Sequence, residues 1–454
     1  MLRLNDEQRS FYRNVVTLVL PIAIQNLINV GVTSADVIML GQVGEKVLSG
    51  VSLGGQIQYI LTMFFFGITS SVTVLAAQYW GKRDVVTVQK IMGIALKIAA
   101  AIALIFTAVV RLAPELVMSI YSNDPEVIRQ GAIYLSVVCV TYPIMAITTT
   151  YLHTLRSVEQ VKVGTIVYFL SLFINIGCNA VFIFGLFGFP AMGAAGAAWG
   201  TVVARTSELV MVIIYDRKLN PVFRFKLSSL KTNSPLLVKD FIRYAIPITL
   251  NQMGWGVGSS MATAIMGHMG SAVTSANAVA QVAKSLAQVV NFGISSATGI
   301  VVGKAIGAGE EQKAELYAKR FIRLCLIFGG AGAVVVLAVI PLAHMGLNFS
   351  PEAKGLITMM LCVLSYTVIA QSFNSTVVCG ILRSGGDARF TLMVDLVSQW
   401  CVCIILGWLA AYVFCWPTTI VYMILMGDEV IKIPVIYARY RSRIWLKNLT
   451  RDDL

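Results

Sequence analysis

The sequence has few charged residues for its length. Asp, Glu, Lys and Arg make up 13% of its 454 residues, whereas 57% are hydrophobic and the mean hydropathy is +0.78. A soluble protein carries roughly a quarter charged residues, so an ordinary soluble domain is excluded. The apolar stretches also lack the alternation with period two that barrel strands require. We therefore predict an all-α polytopic membrane protein.

Motifs for metal binding, disulfides and catalysis are lacking as well. The eight cysteines are scattered without a C-x-x-C pair, and the three histidines (His153, His268 and His344) lie in separate regions. The sequence contains no H-E-x-x-H zinc motif, no Ser/His pairing and no Gly-rich phosphate loop. We therefore expect no cofactor and no enzymatic activity.

Twelve hydrophobic segments remain when the chain is divided at its charged and Gly/Pro-rich breaks. Each is long enough for a transmembrane helix. The first is preceded by a polar stretch without a cleavage site, so we interpret it as a retained helix and not as a signal peptide. The predicted spans cover residues 14–40, 51–80, 91–113, 130–152, 163–186, 194–215, 242–267, 276–303, 320–342, 356–382, 390–412 and 416–437.

The net charge of +13 is distributed as the positive-inside rule requires. If both termini are cytoplasmic, most of the 35 Lys and Arg residues lie on the inner side, and only Lys46, Arg111, Arg129 and Lys354 lie outside. The charge therefore predicts topology and not a nucleic-acid partner. We expect a multi-pass protein of the plasma membrane whose basic tail meets anionic lipid headgroups.

The two halves of the sequence repeat each other. When Pro21 is aligned with Pro247, Gly41 falls on Gly267 and Gly44 on Gly270. Because an even number of spans separates the partners, we predict two six-helix bundles related by a pseudo-two-fold axis along the membrane normal. The predicted domains are an N-terminal lobe (1–216), a cytoplasmic linker (217–239) and a C-terminal lobe with a short basic tail (240–454). Rocking of one lobe against the other would give alternating access.

Asp36 lies within the first span, where a carboxylate costs about 3 kcal/mol or more unless it is protonated, paired or bound to a cation. Asn175 and Asn179 share one face of the fifth span, and Thr201 lies at a similar depth in the sixth. These oxygens predict a site for Na⁺ or for a proton on Asp36. The alternative for the two amides and the hydroxyl is packing between helices by hydrogen bonds.

Pro21 lies in the same span as Asp36 and removes one backbone hydrogen bond there. It predicts either a hinge that responds to the charge state of Asp36 or a fixed kink.

Other charged residues also fall within predicted spans. Asp395 in the eleventh span is a second candidate for proton handling. Lys284 in the eighth span either lines a cavity or reaches an acid such as Asp395. The charged residues near the inner end of the twelfth span are expected to pair with each other or to extend to the interface; they are Asp428, Glu429 and Lys432.

Four motifs together resemble the multidrug and toxic compound extrusion (MATE) family over essentially the whole chain. The first is the spacing of Pro21 and Asp36, and the second is AAQYWGKRD (76–84). The third is NIGCNAVFIFGLFGFPAMGAAGAAWGT (175–201), and the fourth is CGILRSGGDARF (379–390).

The resemblance implies two six-helix lobes around a cleft and export of organic cations in exchange for inward Na⁺ or H⁺. It makes Asp36 the essential acid of the N-terminal lobe. Asn175, Asn179 and Thr201 match its neighbours in the cation site, and Pro21 matches the bending proline.

The chain departs from the family pattern in two ways. Many relatives carry a second aspartate where this chain has Asn179. One branch uses acids in the seventh and tenth spans, but both spans lack acids here, and Ala262 lies opposite Asp36 in the repeat. Coupling is therefore expected through the N-terminal lobe.

The leading functional prediction is a monomeric antiporter that exports amphipathic, cationic drugs or toxic small molecules with H⁺ or Na⁺ as coupling ion. The alternative is a lipid-linked oligosaccharide flippase of the same superfamily plan. A flippase should carry a cationic cavity for pyrophosphate, whereas the membrane-buried bases here are scattered. A receptor or channel fits the repeat of twelve spans less well.

Overall fold

The computed structural model describes residues 6–220, 224–225, 230, 234–346 and 351–451. Across these residues the regular secondary structure is helical, without a β-strand, as the predicted all-α class requires. Part of the predicted linker lies outside the described residues, namely 221–223, 226–229 and 231–233.

The first half of the chain forms long apolar helices, because a helix satisfies all its backbone hydrogen bonds within one segment. A π-helical turn, Tyr215–Leu219, extends the last of them. The helices are α1 (Asp6–Val43), α2 (Glu45–Gly81), α3 (Val85–Leu112), α4 (Pro114–Ser119), α5 (Pro125–Val138), α6 (Thr141–Ser157), α7 (Val161–Phe184) and α8 (Ala194–Ile214).

The second half begins with four long helices and continues with shorter ones. π-helical segments at Thr376–Leu382, Val397–Ile404 and Leu409–Val413 connect several of them. The helices are α9 (Pro235–Gly267), α10 (Ser271–Gly307), α11 (Glu311–Gly346), α12 (Pro351–Ser375), α13 (Ala388–Leu396), α14 (Ile405–Trp408), α15 (Thr418–Leu425), α16 (Asp428–Ile431) and α17 (Ile433–Arg441).

Nine helical spans of the described chain are long and apolar enough to cross a membrane, and the pair α5–α6, bent by 54°, makes a tenth. The two other predicted spans, 242–267 and 416–437, coincide with α9 and with the series α15–α17. The last predicted span is therefore not one continuous helix, because the chain leaves the helix after Leu425 and again at Lys432. This break falls beside the acids of that span.

Local sequence explains several helix ends. Asp84 and Asp124 act as N-caps, because their carboxylates accept from the backbone N–H of Thr87 and Glu126, each at 2.9 Å. α7 ends at Gly185, which has a φ of 75° and so adopts the left-handed conformation that glycine tolerates.

The contacts divide the chain into two compact units. One contains Met1–Ala23, Ala77–Arg83 and Ile246–Asp453, and the other contains Ile24–Ala76 and Asp84–Ala245. The division therefore runs through α1, two residues after Pro21, and near the end of α2. The domain boundaries expected from the sequence remain a prediction.

Candidate ion-coupling site

Asp36 lies in the second part of α1 and contacts α7 through a short hydrogen bond. Asn179 donates from Nδ2 to Oδ1 of Asp36 at 2.6 Å. The same amide nitrogen lies 3.3 Å from Oδ1 of Asn175, one helical turn earlier. Both asparagines are buried, whereas Asp36 is half-buried. The structure therefore brings together three of the four residues that the sequence analysis assigned to the coupling site.

Close packing of α8 on α7 positions Asn179. A Cβ atom built on Gly200 would lie 2.0 Å from Oδ1 of Asn179, and one on Gly196 would lie 2.5 Å from the carbonyl oxygen of Phe182. Two glycines one turn apart thus let the helices approach, as small residues do between membrane helices. Any larger side chain at Gly200 would displace the amide that binds Asp36.

Thr201 follows Gly200 on α8, but its hydroxyl bonds within its own helix. Oγ1 donates to the carbonyl oxygen of Ala197 at 3.0 Å. This bond lies within α8 and joins no second helix, so both the cation-ligand role and the interhelical packing role of Thr201 remain predictions.

The oxygens around Asp36 fit a proton or a small monovalent cation. Oδ1 of Asn179 is buried and has no hydrogen-bond donor among the described residues. With the carboxylate of Asp36 and Oδ1 of Asn175, it makes a set of oxygen ligands with one negative charge. Rotation of the Asn179 amide by 180° would turn its oxygen, in place of its nitrogen, toward Asp36. The amide can therefore donate to an ionised Asp36 or accept from a protonated one.

A neighbouring ion pair is already neutral. Arg205 donates from Nη1 to Glu208 Oε1 at 2.9 Å, and Ser171 donates to the same carboxylate oxygen at 2.6 Å. Asp36 is therefore the carboxylate of this region that has no ion-pair partner among the described residues.

Pro21 lies inside α1, which continues as a helix on both sides of it. The backbone flanking it packs against α10, because a Cβ atom on Gly293 would lie 3.1 Å from the carbonyl oxygen of Val19 and 3.5 Å from the amide nitrogen of Ala23. The choice between hinge and fixed kink remains a prediction.

Asp395, the secondary candidate, has an ion-pair partner other than the one considered from the sequence. Nζ of Lys432 lies 3.1 Å from its Oδ1, and Asn251 donates to its Oδ2 at 2.8 Å. Lys284 forms no hydrogen bond or ion pair within the described residues and acts through space on Asp428. Lys432 is 5% exposed, so it is buried and does not extend to the interface.

Sequence reasoning missed a second polar contact in α1. Gln25 is buried, donates to Oγ1 of Thr165 at 2.9 Å and accepts from Nη2 of Arg156 at 2.5 Å. Two features of the sequence could have indicated this contact. Gln25 is a polar residue within an apolar span, and Arg156 lies in a Leu-Arg-Ser sequence (155–157) that recurs at 382–384.

Comparison with known proteins gives consistent matches over most of the chain. A family model described as MatE matches residues 21–181 and 247–409. The uncharacterized transporter YisQ of Bacillus subtilis (strain 168) is 24% identical over 438 residues, covering 96% of this chain and 95% of YisQ. A probable multidrug resistance protein, NorM of Halalkalibacterium halodurans, is 28% identical over 400 residues, covering 87% of this chain and 86% of NorM.

Solved structures have the same fold. A crystal structure of MATE in the bent conformation matches with a TM-score of 0.86 at 17% identity, covering 96% of this chain and 95% of that chain. At this identity the likeness establishes the fold alone, and it confirms the predicted class of twelve helices in two bundles.

Proposed function

The chain belongs to the MATE family of membrane transporters, and from that premise we propose that it exports amphipathic, cationic small molecules in exchange for inward-moving H⁺ or Na⁺. The observation that carries the proposal is the hydrogen bond between Asp36 and Asn179 inside an apolar span, beside a buried amide oxygen without a donor.

The energetics of a membrane carboxylate connect this site to ion exchange. Ionised Asp36 has one short hydrogen bond and no ion-pair partner among the described residues. A proton or a sodium ion would neutralise it, and an intramembrane acid of this kind is the usual mark of an ion pathway. If the ion-bound and ion-free forms of the protein favour different conformations, ion binding changes the affinity for substrate. Substrate binding then changes the affinity for the ion by the same factor.

The location of Pro21 supports a conformational role for α1. The helix belongs to one compact unit through Ala23 and to the other from Ile24 onward. A proline two residues before this division removes a backbone hydrogen bond where α1 would have to bend. In this proposal, loading of Asp36 changes the preferred shape of α1.

The proposal places the protein in the plasma membrane as a monomer, with both termini in the cytoplasm and the basic tail against anionic lipids. The positive-inside distribution of Lys and Arg supports this orientation. Relatives named as probable multidrug resistance proteins, such as the H. halodurans NorM, favour drug export over the flippase alternative.

Transport in proteoliposomes tests the proposal. The fluorescent cation ethidium would be the probe, with Na⁺ and pH gradients imposed separately. We expect one of the two gradients to drive ethidium transport in the wild type and neither to do so in Asp36→Asn.

Asp124→Asn is the matched control, because Asp124 is a half-buried acid that pairs with the exposed Lys46 at 3.1 Å and Asn is an equally good N-cap. It should transport at the wild-type rate. Wild-type rates in Asp36→Asn would contradict the coupling role, and ethidium transport that needs neither gradient would contradict antiport.

A further inference from the structure

A buried cluster of charged side chains lies in the second half of the chain, in a different compact unit from Asp36. Nζ of Lys432 lies 3.1 Å from Oδ1 of Asp395, 3.3 Å from Oε2 of Glu429 and 3.5 Å from Oδ2 of Asp428. One ammonium group thus contacts three carboxylates, and Lys432 is 5% exposed. Excess buried negative charge is costly unless a cation or a proton neutralises it.

The three carboxylates are not equally stabilised in their ionised forms. Asp395 also accepts from Nδ2 of Asn251 at 2.8 Å, and Glu429 accepts from Nδ2 of Asn374 at 2.8 Å. Asp428 has the longest contact with Lys432 and accepts no further hydrogen bond within the described residues. Because hydrogen bonds to the charged form favour ionisation, Asp428 is the acid that a proton would neutralise first.

The groups that face Asp428 from the surrounding elements include both signs of charge. Lys284 on α10 attracts it through space, and within the described part of the chain Arg383 is connected to the cluster through Oδ1 of Asn251 at 2.6 Å. The titratable and charged groups around Asp428 are Glu429 and Lys432 on its own segment, Asp395 on α13, Lys284 on α10 and Cys403 on the π-helical segment Val397–Ile404. Among the described residues, Lys432 is the one of these groups that makes an ion pair with Asp428.

A second observation also indicates a ligand at this cluster. Asn374 is 2% exposed, and its Oδ1 has no hydrogen-bond donor among the described residues, although its Nδ2 is bound to Glu429. Because Nδ2 of the same amide binds Glu429, the residue after Asp428, this acceptor without a donor lies at the cluster, where a bound proton would add a donor.

We propose that Asp428 is a proton-binding site of the second half, separate from the ion site at Asp36. The step is the addition of one proton from water to a carboxylate oxygen, which forms an O–H bond and removes one negative charge; release reverses it. Lys432 then remains shared between Asp395 and Glu429. Its contribution to transport rests on the proposed function, but its binding of a proton does not.

Infrared spectroscopy of the purified full-length protein tests the assignment without transport. Difference spectra between mildly alkaline and mildly acidic pH would be recorded in detergent, and the carbonyl band of protonated carboxyl groups followed. We expect Asp428→Asn to remove the part of this band that corresponds to one carboxyl group. Asp428→Glu should retain that part at a shifted frequency.

Two matched variants separate this site from its neighbours. Glu429→Gln removes the adjacent acid, and Asp36→Asn removes the acid of the first half; each should leave the Asp428 component in place. Retention of the full band at its original frequency in both Asp428 variants would overturn the proposal, and so would loss of the component in Glu429→Gln alone. Failure of Asp36→Asn to stop transport would contradict the proposed function and leave this measurement unaffected.

Discussion

Arg383 donates from Nη2 to Oδ1 of Asn251 at 2.6 Å, and both side chains are buried. The first half repeats this contact, because Arg156 donates from Nη2 to Oε1 of Gln25 at 2.5 Å. The two arginines occupy the same place in the repeated Leu-Arg-Ser sequence, and the alignment of the halves equates Gln25 with Asn251. Each half therefore builds one arginine–amide contact, but among the described contacts only the amide of the second half also binds an acid, Asp395.

This difference predicts unequal costs for removing the two amides. Asn251→Leu would leave Arg383 without an acceptor and Asp395 without an amide donor, and should lower the free energy of unfolding by about 3 kcal/mol. Gln25→Leu affects one charged partner, Arg156, and should cost about 2 kcal/mol. Denaturant unfolding in detergent measures both. An equal or smaller loss in Asn251→Leu would contradict the importance of the Asp395 contact.

The packing of Gly200 on Asn179 predicts a steric disruption of the ion site. The added methyl group of Gly200→Ala would lie 2.0 Å from Oδ1 of Asn179 in the present geometry. We expect a loss of stability of about 2 kcal/mol and a loss of ethidium transport, because the Asn179 amide must leave Asp36.

Gly177→Ala is the control for this prediction. Gly177 lies between Asn175 and Asn179 on α7, and a Cβ atom there meets no atom within 4 Å. It should leave transport unchanged and raise stability by up to about 1 kcal/mol, since alanine favours a helix. If both glycine variants behave alike in transport, close packing does not position the site.

Asn179→Asp should change the ion requirement of transport. Asn179 now donates to Asp36 at 2.6 Å, so the variant would bring two carboxylates to hydrogen-bond distance, and one proton or one sodium ion must be shared between them. We expect a shifted pH optimum or a changed preference between Na⁺ and H⁺ in the ethidium assay. Asn179→Leu removes the donor without adding a charge and should lower the rate without that shift. Identical pH and ion profiles for Asn179→Asp and wild type would leave Asn179 with a packing role.

The end of α2 binds the C-terminal tail through Gln78, which is fully buried. Its Nε2 donates to the carbonyl oxygens of Ser384 at 2.6 Å and Lys447 at 3.2 Å, and its Oε1 accepts from the backbone N–H of Leu449 at 2.7 Å. Gln78→Leu leaves three backbone groups, of which the carbonyl of Ser384 is buried, without this partner. We expect a cost of about 2 kcal/mol and faster proteolysis of the tail.

Gln89→Leu is the control for the tail contact, because Gln89 makes one long, exposed hydrogen bond to the carbonyl oxygen of Arg224 at 3.4 Å. It should change neither stability nor the rate of tail cleavage. Equal proteolysis of the tail in Gln78→Leu and Gln89→Leu would contradict a role for Gln78 in holding it.

Much of the first-half site could be predicted from the sequence. An acid in an apolar span and two asparagines one turn apart on another span were sufficient to expect proximity, and the structure places Asn179 2.6 Å from Asp36. Ion binding there remains a prediction. The local hydrogen bond of Thr201 was not predictable, because a hydroxyl at the right depth can turn toward its own backbone as easily as toward a neighbouring helix.

The second-half cluster was less predictable. Lys284 and Lys432 are both bases within predicted spans, and the sequence made Lys284 a candidate partner of Asp395. Lys432, and not Lys284, pairs with Asp395 because of where the helix before Asp428 breaks and how α13 is rotated. Neither feature is a property of a local segment.

The amino-acid sequence by itself determined the all-α membrane class, the approximate spans and the family, because hydrophobicity, charge bias and motif spacing are read along one segment at a time. Only the tertiary structure decided which residues meet. Examples are Gly200 packed against Asn179 and Lys432 paired with Asp395. Those contacts join different helical segments, not residues of one segment. They depend on helix rotation and on close approach, which side-chain packing sets collectively across the whole bundle.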